Sequence, residues 1–323
     1  MNKNSRGAAV KTMFAPDQIL KANSPDLLHD LDLTTDELVY LLDLAAQVKE
    51  SPAAYARALE GRNIAMLFEK PSLRTKLTFE LAMKQLGGGS VFIEGPIGVR
   101  EPLKDVARNL DRWTNGIVAR VFRQTTVDDL ARWSRVPVIN ALSDLYHPCQ
   151  ALADMQTVRE HFGELRGCKL AFIGDGNNVA QSLMLTSLRL GMDFALGCPQ
   201  GYLPDPDIVT QAEGLAAVTG AHLAITHDGA EAVAGAHAIY TDVWTSMGQE
   251  QEAVERRRAF RDYQVNDALF AQARPDCVFM HCLPAKRDEE VTDSIMEHER
   301  SVIFDQAENR LHAQKALLLM MLT

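Results

Sequence analysis

Several short clusters in this sequence combine residue types able to act on a small anion and on an amine. Ser72-Leu73-Arg74-Thr75 precedes a periodic apolar run, Leu77, Phe79, Leu81, Met83 and Leu86. Ser72 and Thr75 bracket a helix start, where unpaired backbone N–H groups and the macrodipole attract an anion, and Arg74 adds a forked donor. The cluster reads as a phosphate cradle or as a plain N-cap with solvated Lys70 and Arg74; no G-x-x-x-x-G-K pattern makes it a nucleotide loop. Arg120 sits in the apolar segment Gly116–Phe122, where a charge needs a carboxylate or a bound anion as partner. In His147-Pro148-Cys149-Gln150, Pro148 suits a first helical position, and His147 and Gln150, three apart, can present donors to one small site. A structural histidine is the alternative.

Three more clusters lie further along the chain. Gly174-Asp175-Gly176-Asn177-Asn178-Val179 begins like a dinucleotide loop, but Val179 replaces the third glycine and no acid follows Phe194–Pro199, which disfavours a nicotinamide cofactor. The two amides that remain suit the polar ends of an amino acid. Asp242, leading Asp242-Val243-Trp244-Thr245-Ser246-Met247-Gly248, could bind an ammonium group. Within His281-Cys282-Leu283-Pro284, Cys282 either helps to position or deprotonate an amine or is inert packing, and Leu283-Pro284 could form a turn that points a carbonyl inward.

These clusters need elements to hold them. Short β-rich runs are predicted near Ile64–Phe68, Val91–Ile93, Ile117–Val121, Val136–Ile139, Lys169–Ile173, Phe194–Leu196, His222–Ile225, Ala238–Tyr240, Val278–Met280 and Val302–Phe304, with helical stretches between many of them. Thr34-Thr35-Asp36-Glu37 opens one helix, and another runs from Pro148 to about Phe162 as a bridge between domains. Alternating strands and helices imply an α/β fold with two doubly wound parallel-sheet domains, in which ligands gather beyond the carboxyl ends of the strands. The 323 residues, 46% hydrophobic, suffice for two packed cores. The net charge of −10 argues against nucleic acid or a membrane surface as the main partner. No apolar run approaches the roughly 20 residues of a membrane span. The five cysteines (Cys149, Cys168, Cys198, Cys277, Cys282) include no C-x-x-C pair and read as reduced thiols in a cytoplasmic setting, without a metal. Residues 1–25, with Lys3, Arg6, Lys11 and Lys21 and no acid before Asp17, read as a flexible extension.

Taken in order, Ser72-Leu73-Arg74-Thr75, Arg120, His147-Pro148-Cys149-Gln150, Asp242 to Gly248, His281 to Pro284 and Asn309-Arg310 resemble the signatures of the aspartate/ornithine carbamoyltransferases, from about Leu27 to the last residue. The Ser246-Met247-Gly248 segment, with Asn178, resembles the ornithine branch. The resemblance implies a carbamoyl-phosphate domain over 26–150 plus 307–323, an ornithine domain over 151–306, and a last helix that packs back on the first domain. It implies no metal and no organic cofactor, and homotrimers or multiples of trimers with sites at subunit interfaces.

By the same resemblance, Ser72, Leu73, Arg74 and Thr75 hold the phosphate, while Thr75, Arg120 and His147 polarise the carbonyl. Gln150 and the carbonyls near Cys282 and Leu283 hold the carbamoyl NH2, and Arg310 adds charge. Asn178, Asp242, Ser246 and Met247 bind ornithine, with Asp242 and Cys282 favouring loss of its amine proton. Two positions depart from the family pattern: Lys76 stands where arginine is usual, and Pro96 falls near a position that offers a donor to the neighbouring subunit. A carbamoyltransferase for another amine, and a non-catalytic member with an altered Pro96 loop, are the alternatives.

Overall fold

In a computed structural model of the chain, residues 14–246 and 248–323 are described. The β-rich runs form two sheets, parallel throughout. Strands β1 (Asn63–Phe68), β2 (Gly89–Glu94), β3 (Gly116–Arg120) and β4 (Val138–Leu142) make the first, in the order β2-β1-β3-β4. Strands β5 (Lys169–Ile173), β6 (Asp193–Gly197), β7 (Leu223–Thr226), β8 (Ala238–Thr241) and β9 (Val278–His281) make the second, in the order β7-β6-β5-β8-β9. Central strands are covered on both faces, so β3 and β8 are buried along their whole length, up to their last residues Arg120 and Thr241.

Helices α1 (Thr35–Glu50), α2 (Leu73–Gln85), α3 (Leu103–Trp113) and α4 (Gln124–Trp133) accompany the first sheet. Helix α5 (Pro148–Phe162) leads to the second. There follow α6 (Asn178–Arg189), α7 (Pro206–Thr219) and the short α8 (Gly229–Val233), α9 (Ala253–Ala259), α10 (Asp267–Phe270) and α11 (Asp293–Met296). Helix α12 (Ile303–Leu322) then packs on α5, α1 and α2, back against the first sheet's helices.

Local sequence sets the helix starts. Thr34 caps α1 in a reciprocal box: its Oγ1 accepts from Glu37 N at 3.2 Å, and Glu37 Oε2 accepts from Thr34 N at 2.7 Å. One apolar core joins α1, α5, α6 and α12 between the sheets, and smaller cores fill the outer side of each sheet. A polar stripe crosses the main contact between the halves. Ser182 and Thr186 of α6 donate to buried Asp30, and Arg189 donates to Asp30 O at 2.9 Å, to Leu33 O and to Thr35 Oγ1.

Three expectations change. Residues 14–25 are not a flexible extension: Phe14 packs on Tyr40, Tyr55 donates to Phe14 O, Asn23 N donates to Glu37, and Ala22 N reaches Met320 O. Residues 1–13 lie outside the described residues. Val302–Phe304 is the start of α12 rather than a strand; only a single bridge from Ser301 to Phe279 precedes the helix. That three-residue β-branched and aromatic run is too short to resist the long apolar periodicity behind it. Finally, β4 begins at Val138, because Pro137 has no N–H to give to a ladder.

Candidate functional site

Each sheet reverses its strand order beside its first strand, between β1 and β3 and between β5 and β8. These switch points are where an open parallel sheet leaves a crevice. One cleft of about 850 Å³ spans both. It is lined by Ser72, Leu73, Arg74, Thr75, Arg120, His147, Gln150 and Arg310 on one side and by Asn178, Asp242, Ser246, Cys282 and Leu283 on the other. Every candidate from the sequence is thus in one place except Met247, which lies outside the described residues.

The anion side is built on two helix starts and one strand end. Ser72 caps α2, its Oγ accepting from Thr75 N at 3.2 Å, so the plain-cap reading of Ser72 is correct as far as it goes, and the hydroxyl proton remains available. Leu73 is 70% exposed and can serve only through its backbone amide. Arg120 leaves the end of β3 and is 7% exposed. Its Nε has no hydrogen-bond partner, and the same holds for His147 Nδ1 and Arg310 Nε. Among the described residues, neither Arg74, Arg120 nor Arg310 forms an ion pair with a carboxylate.

Burial, with Arg310 and Arg74 nearby, lowers the Arg120 guanidinium to about 10. His147 caps α5 with its backbone held by Ser182 Oγ at 2.8 Å. Burial and the cations Arg310, Arg120 and Lys70 push its pKa well below the usual histidine value, so it is neutral. Arg310 reaches across from α12, donating to Gln150 Oε1 at 2.5 Å and to Thr75 Oγ1 at 2.9 Å.

The opposite side is a carboxylate held from three directions. Asp242 Oδ1 accepts from Val243 N at 2.8 Å and from Cys282 Sγ at 3.1 Å, and Asp242 Oδ2 accepts from Asn177 Nδ2 at 3.0 Å. Burial beside Asp242 pushes the Cys282 thiol well above its usual value. Cys282 is therefore a thiol that donates to Asp242. Asn178 donates to Ser143 O at 2.7 Å, leaving its own oxygen uncommitted.

Both His281 nitrogens are engaged, by Leu283 N at 2.8 Å and by Glu290 at 3.3 Å. His281 therefore shapes the turn that presents the Leu283 carbonyl, although its ligand atom, with those of Asp242 and Cys282, falls within a 4.8 Å group. Gly176 is required for close approach: a Cβ there would lie 2.4 Å from Pro204 N.

Some functional neighbours were missed in the sequence. Asn177 caps α6 while steering Asp242; an asparagine before an apolar run is a cap signal that could have marked it. Lys70 is buried in the cleft wall, 4.7 Å over the Phe122 ring, rather than solvated. Arg256 bonds Asp175 at 2.7 Å and Trp244 O at 3.1 Å, fixing the segment after β8. Lys76 does not line the cleft; its Nζ lies 3.7 Å over the Phe92 ring. Pro96 is exposed and likewise outside the lining.

The chain is similar to known proteins over nearly its whole length. Residues 25–160 match the domain described as "Aspartate/ornithine carbamoyltransferase, carbamoyl-P binding domain", and residues 166–321 match the "Asp/Orn binding domain" of the same family. The ornithine carbamoyltransferase of Thermococcus kodakarensis is 49% identical over 298 residues, covering 91% of this chain and 95% of that one. The relative from Pyrococcus furiosus named "Ornithine carbamoyltransferase, anabolic" is also 49% identical over 298 residues, 91% of this chain and 95% of that one. A solved structure of ornithine carbamoyltransferase from Pyrococcus furiosus superposes with a TM-score of 0.91 at 47% identity, covering 94% of this chain and 99% of that one. With both halves matched and relatives this similar over nearly its whole length, the chain belongs to the aspartate/ornithine carbamoyltransferase family.

Proposed function

We propose that this chain transfers the carbamoyl group of carbamoyl phosphate to the δ-amine of L-ornithine, giving L-citrulline and phosphate. The observation that carries the reading is that Arg74, Arg120 and Arg310, none ion-paired with a carboxylate among the described residues, line with His147 one side of a cleft whose other wall holds Asp242. Burying an unpaired guanidinium costs several kcal/mol, a cost offset when a dianion binds.

The α2 amides, Ser72, Arg74 and Thr75 hold the phosphate. Thr75, Arg120 and neutral His147 donate to the carbonyl oxygen and stabilise the oxyanion. Gln150 Oε1 and the Leu283 carbonyl accept from the carbamoyl NH2. Asn178, Ser246 and Met247 take the amino-acid end of ornithine, and Asp242, oriented by Cys282 and Asn177, directs its amine. The amine nitrogen bonds to the carbamoyl carbon, the carbon–oxygen bond to phosphate breaks, and the amine proton leaves with the phosphate. Because the two sets of residues lie on different sheets, domain closure completes the site.

The name of the anabolic relative favours a place in arginine biosynthesis. Five cysteines, none in a disulfide, favour the cytoplasm. No helix among the described residues is long and apolar enough to cross a membrane. A trimer is favoured by exposed apolar side chains at four-residue spacing on α2, Leu73, Leu77 and Leu81, and by the exposed Val91 and Ile93 of edge strand β2.

A colorimetric citrulline assay offering ornithine, aspartate, putrescine and acetylornithine in parallel tests the reaction. Product with ornithine alone is expected, and no product with any amine from folded protein would sink it. Arg74→Ala should lose carbamoyl phosphate binding in calorimetry; unchanged affinity would refute the cradle.

A further inference from the structure

Behind the cleft lies a polar node that the transfer, as described, does not use. Asp154, on α5 one turn after Gln150, is fully buried. Its Oδ1 accepts from Gln150 Nε2 at 2.8 Å and from Gln306 Nε2 at 2.7 Å, and its Oδ2 accepts from Tyr240 Oη at 3.2 Å. Gln306 Oε1 in turn accepts from His281 N at 2.9 Å. One carboxylate therefore ties α5 and α12 to the ends of β8 and β9, the strands that lead into Asp242 and Cys282.

An ionised carboxylate only accepts hydrogen bonds. Gln150 must turn its NH2 toward Asp154, which leaves Oε1 on the cleft side. There it accepts from Arg310 and keeps a second lone pair. A flipped Gln150 would set its NH2 against the Arg310 guanidinium and present a donor to the cleft. What a carbamoyl group offers beyond a bare phosphate is an NH2 that needs an acceptor.

We propose that Asp154 is a positioning residue for carbamoyl selectivity: it fixes the Gln150 amide with its carbonyl toward the cleft, so that the site prefers a carbamoyl phosphate to a phosphate. This rests on the carbamoyl phosphate reading above. The same node makes the preference depend on pH. Burial pushes the Asp154 carboxyl up to about 7, against hydrogen bonds from Gln150, Gln306 and Tyr240 and the charge of Arg310. The ionisable groups facing it are Arg310 from α12, Tyr240 from β8 and Cys282 beyond β9. Below that pH the protonated carboxyl gains a donor that competes with Arg310 for Gln150 Oε1, and the preference for one amide orientation weakens. Asp154→Asn carries such a donor at every pH.

The test is calorimetry on the intact oligomer between pH 6 and 8.5, using phosphonoacetamide, a stable phosphonate bearing a carboxamide, and inorganic phosphate. Taking the ratio of the two affinities removes most of the ligands' own ionisation. The wild type should prefer phosphonoacetamide above pH 7 and lose that preference as pH falls through 7. Asp154→Asn should weaken phosphonoacetamide about tenfold, the scale of one hydrogen bond, with phosphate unchanged within about twofold and no pH step in the ratio. A variant with the wild-type ratio overturns the inference. Equal weakening of both ligands also overturns it, since that is what a damaged fold would do. Should the variant not fold, a wild-type ratio constant across the pH range overturns it. A wild type with no preference for the carboxamide at any pH would instead point to failure of the carbamoyl phosphate reading itself.

Discussion

His147 is buried among cations, and that environment decides what it can do. A histidine pushed well below its ordinary pKa donates as a neutral imidazole and does not titrate in the working range. His147→Gln should lower kcat about 100- to 1,000-fold, the usual loss for one oxyanion donor, while the shape of the pH–rate profile stays as in the wild type. Disappearance of an acid limb in the variant would show that His147 had been titrating. At this scale the site was legible wherever a residue stands at a strand's carboxyl end or in the segment that follows it, as Arg120, His147, Asp242 and Cys282 do. The rule that ligands gather there needs only strand positions. Asp154 and Arg256 were not legible, because a buried acid inside a helix and an arginine in a charged run acquire meaning only from partners 86 and 81 residues away.

Helices carry the cleft residues into place, and α12 carries the farthest. Its apolar residues 316–319 are fully buried against α1, α2 and α5 while Arg310, two turns earlier, reaches the cleft. Leu318→Ala should destabilise the protein by about 2–5 kcal/mol, seen as an earlier denaturant midpoint. A shift below about 1 kcal/mol would mean that the helix is not held as described. Strand and helix periodicity made most elements legible, and Pro148 marked the start of α5. Two elements escaped for physical reasons. Val302–Phe304 has the composition of a strand but serves as a helix entrance, and residues 14–25 have no helix or strand periodicity yet are anchored by contacts to Tyr40, Tyr55 and Glu37.

For the whole molecule, the contact between halves and the proposed contact between copies should be separable. Burial pushes the Asp30 carboxyl from 3.8 up to about 6. The folded state therefore binds more protons than the unfolded state between those values, so stability is lost as pH rises through the window. Asp30→Asn should gain on the wild type by up to ~3 kcal/mol between pH 4 and pH 6.5 in denaturant titrations; a pH-independent difference would place the Asp30 titration elsewhere. If the trimer proposed above uses the exposed face of α2, Leu77→Arg should shift it to monomer by sedimentation, with loss of turnover. A trimer that survives it would put the interface on another face. The course of α12 also bears on how the chain is made. Met320 closes on Ala22 and Leu322 lies beside Gly116, so the first half of the polypeptide cannot seal its interior until residues beyond 303 have left the ribosome. The earliest-translated sheet is thus among the last parts to finish folding, and during synthesis its apolar underside remains open to a chaperone or to a neighbouring nascent chain.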